Sequence, residues 1–99
     1  MGVNVADAGI GVHASGGTRT PSMWAGIENG PGGVSYHRHL DLGTVSHAKA
    51  LCKEAATSET AMVAAMTTAE ASWFNALPAD YRAAIVADGA AWHSAGYCW

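Results

Sequence analysis

Residues 34–42, with the sequence VSYHRHLDL, decide the fold class, because an alternating pattern there gives way to a helical one. Tyr36, Leu40 and Leu42 lie at every second position and share one face with Arg38. His37, His39 and Asp41 share the other face. Alternation with a period of two is typical of a half-buried β-strand. We therefore predict a strand over these residues.

The sequence before this strand is rich in glycine, since ten of the twelve glycines lie in residues 2–43. Residues 3–14 and 23–28 predict two further extended segments. Residues 15–22 predict a loop and residues 29–33 a tight turn, because glycine supplies positive φ and proline a fixed φ. Alternatively, residues 1–33 form an ordered arm that lies across a neighbouring subunit.

The sequence after the strand is helical in pattern. Apolar residues recur at three- and four-residue steps, which is typical of a helix with one buried face; they are Val45, Ala48, Leu51, Cys52, Ala55, Met62, Met66, Ala69, Trp73 and Leu77. We predict one long helix over 44–77, continuous or slightly kinked. Two alternatives are a break near 57–60 and a restart at Thr67, which forms a capping-box pattern with Glu70.

Leu77 and Pro78 end this helix, because proline disfavours helical geometry in the residue before it and suits the start of the next helix. A short helix over 78–89 follows, with Gly89 as its stop, and residues 90–99 form an aromatic tail. The predicted fold is a single α+β domain. Its N-terminal half, residues 1–43, is a short glycine-rich β-hairpin or extended region, and its C-terminal half is a helical hairpin.

The composition predicts a thin core, because 21 of the 99 residues are alanine and few are large and apolar. A small domain of this kind is marginally stable, and we expect a protein partner or a homo-oligomer to stabilise it. The five Lys and Arg residues form no run and the net charge is −3. We therefore expect no nucleic-acid binding, and no apolar stretch predicts a membrane span.

The N-terminus lacks the pattern of a signal peptide, which predicts a cytoplasmic protein or a virion component. Free thiols at Cys52 and Cys98 follow from that location. A Cys52–Cys98 bridge, which would fix the C-terminal tail to the first helix, is the alternative for an exported protein.

The first candidate site is a metal site on the predicted strand. His37, His39 and Asp41 project together, and two imidazoles with a carboxylate form a plausible facial site for a divalent metal. The alternative is a solvent-facing polar side of an edge strand. Residues 37–41 resemble the start of the His-x-His-x-Asp-His motif of metallo-β-lactamase-type hydrolases. However, Leu42 replaces its last histidine and that fold needs a longer chain, so we reject membership.

Three other patterns in the sequence suggest a metal, catalytic or nucleotide site. His47 with Cys52 and His93 with Cys98 share a spacing that suggests a zinc site, and the same Cys52–His47 pair can be drawn as a nucleophile with its base. Residues 9–14 fit a loose dinucleotide-binding pattern. None of these patterns is complete, so we predict no cofactor and favour a protein that is not an enzyme.

Aromatic side chains near the C-terminus suggest an interface, because large aromatic residues often anchor protein contacts. The predicted anchors are Trp73, Phe74, Trp92, Tyr97 and Trp99. The alternative is that these side chains close the domain's own small core. We predict a small structural, adaptor or inhibitory protein that acts through protein–protein assembly, in a bacterial or bacteriophage setting. The alternatives are a metal-dependent protein that uses His37, His39 and Asp41, and a small cofactor-free oligomeric enzyme.

Overall fold

The computed structural model describes residues 7–15, 18–27 and 36–96, and the side chains within 8–11, 20–26 and 39–96. Three strands come first: β1 (Asp7–Ser15), β2 (Thr18–Ile27) and β3 (Tyr36–Asp41). Four helices follow: α1 (Val45–Ala55), α2 (Glu59–Ala64), α3 (Thr68–Asn75) and α4 (Ala79–Ala95). The fold is α+β, which confirms the predicted class. The predicted turn at 29–33 lies outside the described residues.

The strands form an antiparallel sheet in the order β1-β2-β3. The predicted loop over 15–22 is therefore wrong from residue 18 onward. The misleading signal is Pro21, because proline lacks the N–H that a central strand needs. Pro21 lies one position beyond the β2–β3 pairing, which ends at Ser22 and Asp41. Its carbonyl accepts a hydrogen bond from the Leu42 N–H at 2.8 Å, so proline at this position forgoes only the reciprocal bond at the end of the β2–β3 ladder.

The segment predicted as one long helix over 44–77 is divided into three short ones. Thr44, Ser58 and Thr67 cap α1, α2 and α3 through their side-chain oxygens, and Thr67 and Glu70 complete a capping box. Such caps satisfy N–H groups that have no partner within the helix. The division therefore occurs at the two weak points of the sequence pattern, where a hydroxyl side chain begins a new helix.

Helix α4 passes through Gly89 and ends at Ala95, with Gly96 in the left-handed region at a φ of 76°. The predicted stop at Gly89 is wrong because this glycine has a packing role. A Cβ built there would lie 3.0 Å from the Ala55 Cβ and 3.5 Å from the Ile10 Cγ2. The absence of a side chain lets α4 lie close against α1 and β1.

The core lies between one face of the sheet and the helices. Its fully buried members come from both halves of the chain, and the largest are Phe74, Ile10, Met23, Leu51, Met62 and Ile85. Ile10 and Met23 are opposite each other on β1 and β2, so the pleat directs both toward the helices. Ala25, Ala48 and Ala55 are three of the seven other buried core residues, which also include Leu42, Cys52, Leu77 and Tyr81.

Cys52 is disulfide-bonded and fully buried on α1. This finding corrects the expectation of a free thiol there. Cys98, the other cysteine of the sequence, lies outside the described residues. A disulfide is typical of proteins that fold in an oxidising environment. The cytoplasmic location stays a prediction.

Candidate functional site

The predicted metal residues lie on the outer strand β3. The His39 Nε2 and the Asp41 Oδ1 are 3.6 Å apart, and both side chains are exposed. His37 is paired with Gly26 through the backbone, and its side chain lies outside the described part. Within that part, no group of three or more His, Cys, Asp or Glu side chains is arranged to hold a metal. The three-residue metal site stays a prediction.

The other patterns lose support as chemical sites. The bonded sulfur of Cys52 is available neither as a nucleophile for His47 nor as a zinc thiolate, since both roles need a deprotonated thiol. Gly9 and Gly11 lie within β1 and not in a loop before a helix, so they do not form a phosphate-binding turn. Across the described helices, none has the length and apolar character that a bilayer span needs.

A polar pair that the sequence did not reveal joins α1 to α3. The His47 Nε2 lies 2.7 Å from the Glu70 Oε1, and Glu70 is 6% exposed. The same oxygen accepts the Thr67 N–H at 3.0 Å. The capping-box pattern predicted the Thr67 contact, but pairing with a residue 23 positions away has no sequence signal. One Glu70 oxygen thus accepts the Thr67 N–H and lies within hydrogen-bond distance of His47, and a buried polar group normally has partners of this kind.

The predicted aromatic anchors have different environments. Phe74 is fully buried and Trp73 is half-buried against the core, so both pack mainly within this domain. Trp92 is 40% exposed. Tyr97 and Trp99 lie outside the described residues. Trp92 is therefore the described member of the set with a large free surface.

Trp92 is held in place through Asp88, one turn earlier on α4. The Trp92 Nε1–H donates to the Asp88 Oδ2 at 3.2 Å, and the Ile10 N–H of β1 donates to the same oxygen at 3.0 Å. Ile10 faces Met23 across a pair of strands, and its N–H points away from β2 toward α4. Asp88 therefore closes part of the free edge of β1, where an unpaired strand would otherwise present N–H groups.

Trp24 covers the same strand from the face opposite the core. Trp24 pairs with Gly9 across the sheet, and alternation places both on the side away from Ile10 and Met23. A Cβ at Gly9 would meet the Trp24 Cζ2 at 2.8 Å, and a Cβ at Gly11 would meet two other atoms of the six-membered ring at 3.3 Å. A side chain at Gly9 would clash with the indole, and one at Gly11 would be tight against it, because the six-membered ring lies beside the β1 backbone at both positions.

Asp88, Trp24 and Trp92 meet at one end of the domain, beside Gly9. The Asp88 Oδ2 and the Trp24 Cζ2 lie 2.6 and 2.8 Å from the same point, the Cβ position of Gly9. We call these three side chains the Asp88 cluster. It combines one carboxylate with two indoles, and Trp92 at its rim is exposed to solvent.

Comparison with known proteins adds no family. No family model matches the chain, and no curated protein or solved structure matches it significantly.

Proposed function

We propose that this chain is a protein–protein interaction module whose contact surface is centred on Trp92. The observation that carries the proposal is that Trp92 is exposed and yet fixed by its hydrogen bond to Asp88. Exposed Trp residues are enriched among the side chains that dominate binding energy. A fixed aromatic ring loses little conformational entropy when a partner binds.

The composition supports the same function. The described helices and sheet enclose a core in which alanine fills several central positions, and a core of this kind leaves a small domain marginal. Burying an exposed indole against another protein removes a large apolar area from water, which adds stability to the folded state by mass action. Binding a partner would therefore stabilise this small domain and also bury its exposed Trp92.

The test compares the two large apolar residues that are most exposed in the described part of the chain. Val45 on α1 is 43% exposed and Trp92 is 40% exposed, so Val45→Ala is a matched control for Trp92→Ala. Sedimentation velocity from micromolar to millimolar concentration measures self-association. A photo-crosslinking amino acid at position 95, which is exposed and lies about one helical turn after Trp92 on α4, identifies a different partner in the cells that produce the protein, and the same amino acid at position 45 is its control.

We expect Trp92→Ala to weaken the association found in either experiment by about 2 kcal/mol or more, roughly thirty-fold in Kd. Val45→Ala should change it little. The proposal is wrong if the protein is a monomer at every concentration and position 95 gives no cross-link that position 45 lacks.

A further inference from the structure

The geometry points to a recognition site for an arginine side chain at the Asp88 cluster. The inference deepens the proposed function and rests on it, because the guanidinium belongs to the protein partner. The carboxylate of Asp88 has hydrogen-bonding capacity that the described residues do not use.

Only one oxygen of Asp88 is used by the described part of the protein. The Oδ2 accepts from the Ile10 N–H and the Trp92 Nε1–H, and the Oδ1 accepts from no described donor. No described Lys or Arg forms an ion pair with Asp88; Arg82 of the same helix contacts Glu59 instead. The cluster therefore presents a carboxylate oxygen without a cation among the described residues.

The indole of Trp24 gives this carboxylate a flat neighbour. The six-membered ring lies beside the β1 backbone at Gly9 and Gly11, and Trp24 is only partly buried, so part of the indole is open to solvent. The ring atom Cζ2 and the Asp88 Oδ2 both lie within 3 Å of the Cβ position of Gly9. A planar cation that stacks on the open part of the indole is therefore close enough to pair with the Asp88 carboxylate.

Arginine fits this combination better than lysine does. A guanidinium is planar, stacks on aromatic faces, is weakly hydrated and donates hydrogen bonds to a carboxylate at its edge. An ammonium is a compact, strongly hydrated charge that gains less from a flat ring. Trp92, fixed beside the same carboxylate, adds apolar area that shields the ion pair from water.

The test uses Nα-acetyl-arginine amide as the probe and Nα-acetyl-citrulline amide as its neutral control of nearly equal shape. NMR titration of the intact oxidised protein follows the indole Nε1–H signals, with Trp73 as an internal reference. We expect saturable shifts at Trp24 and Trp92 with the arginine probe alone. The variant Asp88→Asn keeps an acceptor for Ile10 and should weaken binding about tenfold or more, whereas Asp41→Asn, an exposed carboxylate on β3, should not.

Equal shifts with citrulline, shifts that do not saturate, or unchanged affinity in Asp88→Asn would overturn the inference. Movement of the Trp92 signal without that of Trp24 would also overturn it, because the indole of Trp24 is the stacking surface. The titration does not depend on any partner. A negative titration beside positive cross-linking at position 95 therefore rejects the arginine site alone, and a monomer without cross-links rejects the proposed function.

Discussion

Replacing Asp88 by alanine tests whether the contact between α4 and the edge of β1 holds the two halves of the domain together. The variant removes the only described acceptor for the N–H of Ile10, a fully buried residue of β1. An unsatisfied buried donor costs about 1–3 kcal/mol, and hydrogen bonds to charged groups lie in the upper part of that range. Trp92 is exposed, so its N–H can bond to water instead. We expect a loss of about 2 kcal/mol, or a Tm lowered by about 10 °C for a domain of this size.

Urea unfolding, monitored by circular dichroism, measures this loss of unfolding free energy, with thermal unfolding as a second method. Asp88→Asn should retain most of the stability, because its amide oxygen can still accept from Ile10. Trp92→Phe removes the other donor and should cost less than about 0.5 kcal/mol, as expected for an exposed group. A loss below about 0.5 kcal/mol for Asp88→Ala, or an equal loss for Trp92→Phe, would refute the assignment of the Ile10 contact as the important one.

Three further substitutions or treatments test the packing of the helices. Gly89→Val should destabilise the domain by about 1–3 kcal/mol through overpacking against Ala55; unchanged urea unfolding would contradict the close approach of α1 and α4. Reducing the disulfide of Cys52 should lower stability by about 4 kcal/mol on the chain-entropy model, if the loop closes at Cys98. Thermal unfolding with and without reductant checks this value, and intact mass confirms the reduction. Glu70→Ala should cost about 2 kcal/mol, because it removes a helix cap and leaves His47 without its carboxylate. A double-mutant cycle with His47→Ala that shows no coupling would contradict the pair.

The fold class could be predicted because it depends on local patterns. The alternation around Tyr36–Asp41 gave a strand whose observed bounds lie inside the prediction. The change to helical spacing after Gly43 also predicted where α1 begins, although not that it ends at Ala55. Each pattern reports which face of an element is buried, and burial is the main force that selects these elements.

Element boundaries were harder, because they depend on contacts that the chain makes later. The sequence shows the capping-box pattern of Thr67 and Glu70, which indicates a new helix. The long apolar stripe favours one continuous helix, and the pattern alone does not decide between the two. Glycine is typical of the end of a helix, and only the close approach of Ala55 explains why a glycine stands inside α4 at position 89. Pro21 has the chemistry of a loop, and only the end of β3 explains why a central strand accepts it.

The Asp88 cluster could not be predicted, because its members are far apart in the sequence. Asp88 and Ile10 are 78 positions apart, and no spacing rule connects a mid-helix carboxylate to an edge-strand N–H. In the sequence, Gly9 and Gly11 fit a loose dinucleotide-binding pattern. Their observed role under Trp24 needs the register of β1 and β2, which the sequence alone did not provide. Trp92 could be selected because large aromatic residues often anchor protein contacts.

The link between Trp92 and Asp88 leads to a last prediction, which separates the size of the indole from its fixed position. Trp92→Phe keeps an aromatic surface but loses the N–H that donates to Asp88, so the ring becomes free to rotate. Ordering a mobile side chain on binding costs about 0.5–1.5 kcal/mol. We therefore expect Trp92→Phe to weaken the association identified by sedimentation or cross-linking by about two- to tenfold, mainly through faster dissociation. Trp92→Ala should weaken it further, because that variant also removes the aromatic area. If Trp92→Phe binds as tightly as the original protein while Trp92→Ala does not, the hydrogen bond to Asp88 serves stability alone.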